Sequence, residues 1–378
     1  EEVVCMWAGL SRSEKHAFLN RLAASRTIEV MTSVLTSVPP NAARDTTLIP
    51  FSLWIAHGPE ASVLAKAELP NLRAWLAQAR RVDVQVDEVQ ESLLATLSPP
   101  HERAWAIAAG WPTQDGCLPW AARAAAALDG QDTHASVAPT ASPSGWAFIT
   151  LCNWHVSNGQ VTLGDPAYLQ IDEATDATLF KAMHSFFAED GIALHPYKPG
   201  QWLAQSPLLA DLPTASLDRV IGRNIDPWLV GSHVAADAIS PAAKLLRRLQ
   251  NEMQMLLYTH PVNEGRGLTI NSFWVHGTGA LPASQTARPE PAVIHTLRES
   301  ALQQDLIGWL EAWQHVDAHA IAPMLARVAA GEPQRLVLCG EHAFHVYDSA
   351  APSLWQRLRT HFAPTSLDTV LAVAPLKD

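Results

Sequence analysis

Apolar positions recur with two different periods along this chain, and the switches between them mark out the elements. LIPFSLWI (48–55) is an apolar run of strand length, and in LPNLRAWLAQARR after it Leu69, Leu72, Trp75 and Leu76 fall at helical spacing. Residues 91–128 continue helically through SPPHERAWAIAAGW and PWAARAAAAL, and GQDTHASVAPTASPSG (130–145) then reads as a loop. WAFITLCNWHV (146–156) and QVTLGDP (160–166) read as strands joined over Ser157-Asn158-Gly159, where Asn-Gly supplies the positive φ of a tight hairpin. DEATDATLFKAMHSFFAEDG (172–191) predicts an amphipathic helix with Leu179, Met183, Phe186 and Phe187 inward and Gly191 as its stop. QWLAQ reads as a further strand.

The clearest helix signal is SPAAKLLRRLQNEMQMLLYTH (240–260). Ser240 is its N-cap, Pro241 fills its first turn, and Leu245, Leu246, Leu249, Met253, Leu256 and Leu257 form one face that Pro261 ends. Helical stretches around 298–315 and 318–329 precede a hairpin made of RLVLCG and AFHVYD. Strands and helices interleave throughout, which predicts an α/β protein with a mixed sheet and flanking helices.

Residues 1–46 read as an N-terminal extension, partly disordered, ahead of one α/β domain over 47–378. Met31 opens a polar, proline-containing leader, which fits a natural start downstream of residues 1–30; the spacing of Phe18, Leu19 and Leu22 equally fits an extra helix. Composition narrows the class. The chain of 378 residues is 48% hydrophobic and 17% charged, with no run near the ~18 apolar residues of a membrane helix. Twenty-six basic against 37 acidic residues give a net charge of −11, which repels a phosphate backbone, so no nucleic-acid partner is expected. Four scattered cysteines without a CxxC pair, and a start without a signal peptide's apolar core, point to the cytoplasm.

Candidate chemistry concentrates in HPVNEGRGLTINSFWVHGTG (260–279). A strand ending in Gly277-Thr278-Gly279 lets backbone amides converge on an anion, Arg266 can add a charge-assisted fork, and Asn263, Asn271 and Ser272 can add directional contacts. The same residues also suit plain turn-making and capping. His260 projects from the apolar face of the preceding helix, with Glu252 at that face's edge. In HVDAH, His315 and His319 share a helical face while Asp317 points elsewhere, and no third metal ligand is evident. His342, His345 and Asp348 alternate as on a solvent-facing hairpin edge. No GxSxG elbow, Walker loop, GxGxxG or HExxH is present.

Several of these segments together carry a resemblance: WAFITLCNWHV, LGDPAYLQID, FFAEDGIALH, TASLDRVIGRNID, RLQNEMQMLLYTHPVN and INSFWVHGTGALP. Over about 48–282 the chain resembles a proteobacterial family of cofactor-independent phosphoglycerate mutases, related to a regulatory protein of pathogenicity-factor clusters. The resemblance implies an alkaline-phosphatase-like scaffold and places His260, Pro261, Asn263, Arg266, Asn271, Gly277 and Gly279 on positions matching the archaeal-type enzymes, with His276 where those carry arginine. Those enzymes use two divalent metals and a nucleophilic serine, and their first strand ends in Asp-Gly; LIPFSLW has no Asp. The expectation is therefore a degenerate scaffold without metal or cofactor. It would have a ligand-binding or regulatory role toward a small anion, with a phosphoglycerate mutase or related phosphotransferase as the alternative. The ligand set expected is His260, Asn263, Arg266, Asn271, Ser272, His276, Gly277, Thr278 and Gly279.

Overall fold

The computed structural model describes residues 45–56, 60–86, 96–129, 144–157, 159–232, 234–281, 288–349 and 367–373. The residues from Asp45 onward form one compact unit. The readings made on residues 1–30, on 130–143 of the loop and on Asn158 fall outside the described residues.

In chain order the elements are β1 (Asp45–Ile49), β2 (Trp54–Ile55), α1 (Glu60–Leu64), α2 (Pro70–Ala77), β3 (Ala79–Val86), α3 (Pro100–Ala109), α4 (Trp120–Asp129), β4 (Gly145–Cys152), β5 (Trp154–Ser157) and β6 (Gln160–Leu163). There follow α5 (Glu173–Glu189), β7 (Ala193–Lys198), β8 (Gln201–Ser206), α6 (Leu217–Val220), α7 (Pro241–Tyr258), β9 (Ser272–Gly279), β10 (Ala292–Val293), α8 (Arg298–Leu302), α9 (Leu306–Val316), α10 (Ala322–Ala329), β11 (Gln334–Cys339), β12 (Ala343–Ser349), α11 (Asp368–Leu371) and β13 (Ala372–Val373).

The architecture is α/β with a mixed sheet and flanking helices. Its first sheet has the order β10-β1-β11-β12-β3. β1 runs parallel to β10 and β11, while β12 is antiparallel to both of its neighbours. Both faces are covered. Ile49, Leu336 and Leu338 pack on Leu72 and Trp75 of α2 and on Trp309 and Trp313 of α9, while Leu48, Val337 and Phe344 pack on Ala104 and Trp105 of α3. A second sheet, β7-β8-β4-β9, is antiparallel throughout. Ile149, Trp202 and Phe273 on one of its faces meet Leu179, Met183 and Phe187 of α5 and Leu249 and Met253 of α7. The other face is partly covered by the small residues Ala121 and Ala125 of α4, beside Leu203 and Phe148.

Local signals explain most of these boundaries. The Ser240 side chain accepts from Ala243 N at 3.1 Å to start α7, and Asp172 accepts from Thr175 N at 2.7 Å to start α5. Elsewhere the structure corrects the sequence reading. The run 48–55 is two strands, because Phe51 after Pro50 takes φ 57° and turns the chain. The run 146–156 is likewise divided, since Asn153 leaves the ladder and β5 pairs only with β6. Arg80 and Arg81 open β3 instead of extending α2, and Phe186 is 36% exposed on α5. The hairpin β11–β12 forms, but it is internal: β3 pairs along β12, so Asp348 is 8% exposed and ion-paired to Arg335 at 2.7 Å.

Asp317 points away from the exposed face that His315 and His319 share, as their spacing predicts. It lies 3% exposed in a π-turn (Asp317–Ile321) between α9 and α10 and accepts from Asn71 N at 3.1 Å and Leu72 N at 2.6 Å, capping α2 from across the fold. His315 and His319 stack with ring centroids 4.1 Å apart, and the His319 Nδ1 lies 2.9 Å from the His315 carbonyl.

Candidate functional site

Beside the second sheet, at β4, β8 and the end of β7, lies a cavity of about 410 Å3 whose wall carries Thr150, Gln201, Lys198, Arg298, Asp165 and Gln170. Its parts come from distant segments. Thr150 on β4 and Gln201 on β8 are paired across the ladder, and Lys198 at the end of β7 pairs with Gln201. Arg298 opens α8, five residues beyond the carboxyl end of β10, and Asp165 precedes the short helix Pro166–Leu169. Sites in open α/β sheets gather at the carboxyl ends of parallel strands, and Arg298 reaches the cavity from there.

Arg298 is anchored from behind. Its Nε and Nη2 donate to Asp218 Oδ1 at 2.8 and 2.6 Å, and its Nη1 lies 3.5 Å from Asp165 Oδ2. Asp218, on α6, takes a second partner through its other oxygen, at 3.1 Å from His101 Nε2 on α3. Burial alone would raise the Asp218 carboxyl, but the His101 hydrogen bond and the charges of His101 and Arg298 outweigh it and hold the carboxylate well below its ordinary range. Neighbouring Glu102 shifts the other way: burial raises it, against the pull of His101 and the hydrogen bonds from Ser216 Oγ and Trp120 Nε1.

The cavity floor is a hydrogen-bonded chain. Gln201 Nε2 donates to Thr150 Oγ1 at 2.7 Å, and Thr150 Oγ1 lies 2.9 Å from His276 Nε2. Which of the hydroxyl and the ring nitrogen donates is set by the His276 tautomer. His276 is pushed down to about 3, chiefly by burial and further by Lys198, with Asp218 opposing. Above the ordinary value of 6.5 both folded and unfolded forms are neutral. As pH falls from there toward about 3 only the unfolded chain takes the proton, so stability is lost. His276→Gln should remove up to about 1.4 kcal/mol per pH unit from that acid slope, measured by urea denaturation between pH 6.5 and 4.5. An unchanged slope would contradict the assignment.

Of the nine residues expected as ligands, His276 alone joins this network. His260 Nδ1 accepts from Val262 N at 3.2 Å. Asn263 Nδ2 donates to Leu257 O at 2.9 Å and Ile270 O at 2.8 Å, and its Oδ1 accepts from Ile270 N at 2.8 Å. Arg266 donates to the carbonyls of Leu268 and Leu169. Asn271 brackets Trp154, accepting from its N at 2.7 Å and donating to its O at 2.9 Å. Ser272 receives Gln254 Nε2 at 3.4 Å, and the Thr278 hydroxyl lies 2.6 Å from Leu212 O and 2.9 Å from Gly116 O. Gly277 has φ 64°, and a Cβ there would stand 3.1 Å from Phe148 and Trp120. At Gly279, with φ 141°, a Cβ would stand 3.2 Å from the Cys117 carbonyl.

Sequence reasoning missed Lys198, Gln201, Thr150, Arg298, Asp218 and His101. The available signal was weak: Thr150 and Gln201 are polar residues inside apolar strand runs. Among the described residues no three or more His, Cys, Asp or Glu gather as a group that could hold a metal ion. No helix among them is long and apolar enough to cross a membrane.

No protein-family model matches the chain, and no curated protein matches it. Among solved structures the chain is similar to the cofactor-independent phosphoglycerate mutase from Thermoplasma acidophilum DSM 1728, at 14% identity, with 81% of this chain and 89% of that chain covered and a TM-score of 0.32. At that score the likeness carries no argument about this chain's chemistry.

Proposed function

We propose that the protein is a cytoplasmic, mutase-like scaffold that binds a small anionic ligand in the cavity beside Lys198 and Arg298 and acts as a ligand-binding or regulatory protein without two-metal chemistry. The observation that carries this reading is the convergence of two cations on one hydrogen-bonding floor. Arg298 has a guanidinium edge near the cavity, and among the described residues Lys198 has no carboxylate at ion-pair distance. Thr150 and Gln201 supply directional contacts between them. The motif resemblance supplies the scaffold. Titration calorimetry with inorganic phosphate should show one site per chain that weakens as salt rises, because salt screens the attraction of an anion to the exposed Lys198 and the partly exposed Arg298. Absence of heat and of stoichiometric binding would remove the proposal.

The second reading, a phosphoglycerate mutase or related phosphotransferase, is favoured by one observation. Glu102 and Asp218 sit around His101 with acidities pushed apart, which is how acid and base roles are separated. Turnover of 2- into 3-phosphoglycerate with added Mn²⁺, abolished by Glu102→Gln, would favour it over pure binding.

A further inference from the structure

Where α9 passes into α10 through the π-turn Asp317–Ile321, two histidines stand exposed on one face. In a straight α-helix residues four apart are offset by about 40° around the axis. The wider i→i+5 winding takes up part of that offset, so His315 and His319 come close to one above the other. Their ring centroids are 4.1 Å apart and their planes differ by 24°. The tautomer of one ring is fixed. His319 Nδ1 stands 2.9 Å from the His315 carbonyl oxygen, which can only accept, so in the neutral ring Nδ1 carries the proton and Nε2 keeps its lone pair. Metal-binding imidazoles are commonly held this way, with the second ring nitrogen donating to a backbone carbonyl. The turn itself is pinned: Asp317, between the two histidines and buried, accepts from Asn71 N, Leu72 N and the Asn71 side chain.

We infer that His315 and His319 together chelate one borderline divalent metal ion, of the Zn²⁺, Ni²⁺ or Cu²⁺ class, on the exposed face of α9 and the π-turn. A tetrahedral ion with bonds of ~2.0–2.1 Å needs its two nitrogens about 3.3 Å apart, which rings stacked at 4.1 Å reach by small side-chain rotations. A pair of imidazoles suits those ions and not Mg²⁺ or Ca²⁺, which take oxygen ligands. Among the described residues no third His, Cys, Asp or Glu joins the pair, so water completes the coordination and the ion stays exchangeable. Neither histidine lines the cavity beside Lys198, and the inference stands apart from the anion reading.

Calorimetry of the untagged full chain with zinc chloride tests this. One Zn²⁺ per chain is expected, and Mg²⁺ should give no binding. His315→Gln and His319→Gln, both at exposed positions, should each weaken Zn²⁺ by about tenfold or more, since a chelate needs both nitrogens. His155→Gln, exposed on β5, should leave it unchanged. As a second readout, Zn²⁺ should raise the melting temperature of wild type and of His155→Gln but not of the other two variants, each compared with its own metal-free form. Absence of stoichiometric Zn²⁺ binding, binding that survives both single variants, or loss in only one of the two overturns the inference.

Discussion

Replacing Asn263 by alanine is expected to cost about 3 kcal/mol of stability, seen as a lower urea midpoint at unchanged m-value. The amide makes three hydrogen bonds, two to the Ile270 backbone and one to the Leu257 carbonyl, and so joins the end of α7 to the segment entering β9. Each contributes about 1 kcal/mol net, and the part-buried backbone groups left behind add desolvation cost. Asn263→Asp is the sharper control. It keeps the acceptor for Ile270 N but loses both donors and sets a carboxylate against two carbonyls, so it should be no better than alanine. A loss below 1 kcal/mol for either variant would show that Asn263 is not a structural staple.

Asp218→Asn should move stability and ligand affinity in opposite directions. The carboxylate bridges His101 and Arg298 with only 16% of its side chain exposed. Neutralising it leaves those groups with a weaker partner, at a cost of about 2–3 kcal/mol. Asparagine still accepts from Arg298, so the guanidinium stays near the cavity. Removing a negative charge a few ångströms from a bound anion is worth on the order of 1–3 kcal/mol at an effective dielectric of ~20, so phosphate should bind about tenfold more tightly. Weaker phosphate binding by Asp218→Asn would show instead that the carboxylate is needed to aim Arg298.

The fold was legible where one local signal was strong. Ser240 with Pro241 and the leucine stripe specified α7, and Asp172 with Gly191 bounded α5, because caps and periodicity act within a few residues. β3 was lost because Arg80 and Arg81 look like the end of a helix, although ARRVDVQV alternates; its partner β12 lies more than 250 residues away. The splits at Phe51 and Asn153 depend on backbone turns that apolar residues conceal. The candidate site was hardly legible. Lys198, Asp218 and Arg298 have no spacing in common, and Lys198 reaches the cavity through a bulge that strand alternation does not announce. The 260–279 stretch drew attention because its polar residues are crowded in sequence, yet Asn263 and Asn271 spend their amides on nearby backbone. Close packing of polar residues in sequence and convergence of their free atoms in space are different properties.

Whether an anion is held in the cavity or on the 260–279 segment is decided by phosphate-induced thermal stabilisation in two variants, each measured against its own ligand-free melting point. Wild type and Arg266→Ala should gain the same increment with phosphate, and Lys198→Gln should lose most of it, since Lys198 lines the cavity and Arg266 donates to backbone carbonyls. Full stabilisation of Lys198→Gln together with its loss in Arg266→Ala would contradict the cavity site and return the anion to the Gly277–Gly279 strand end.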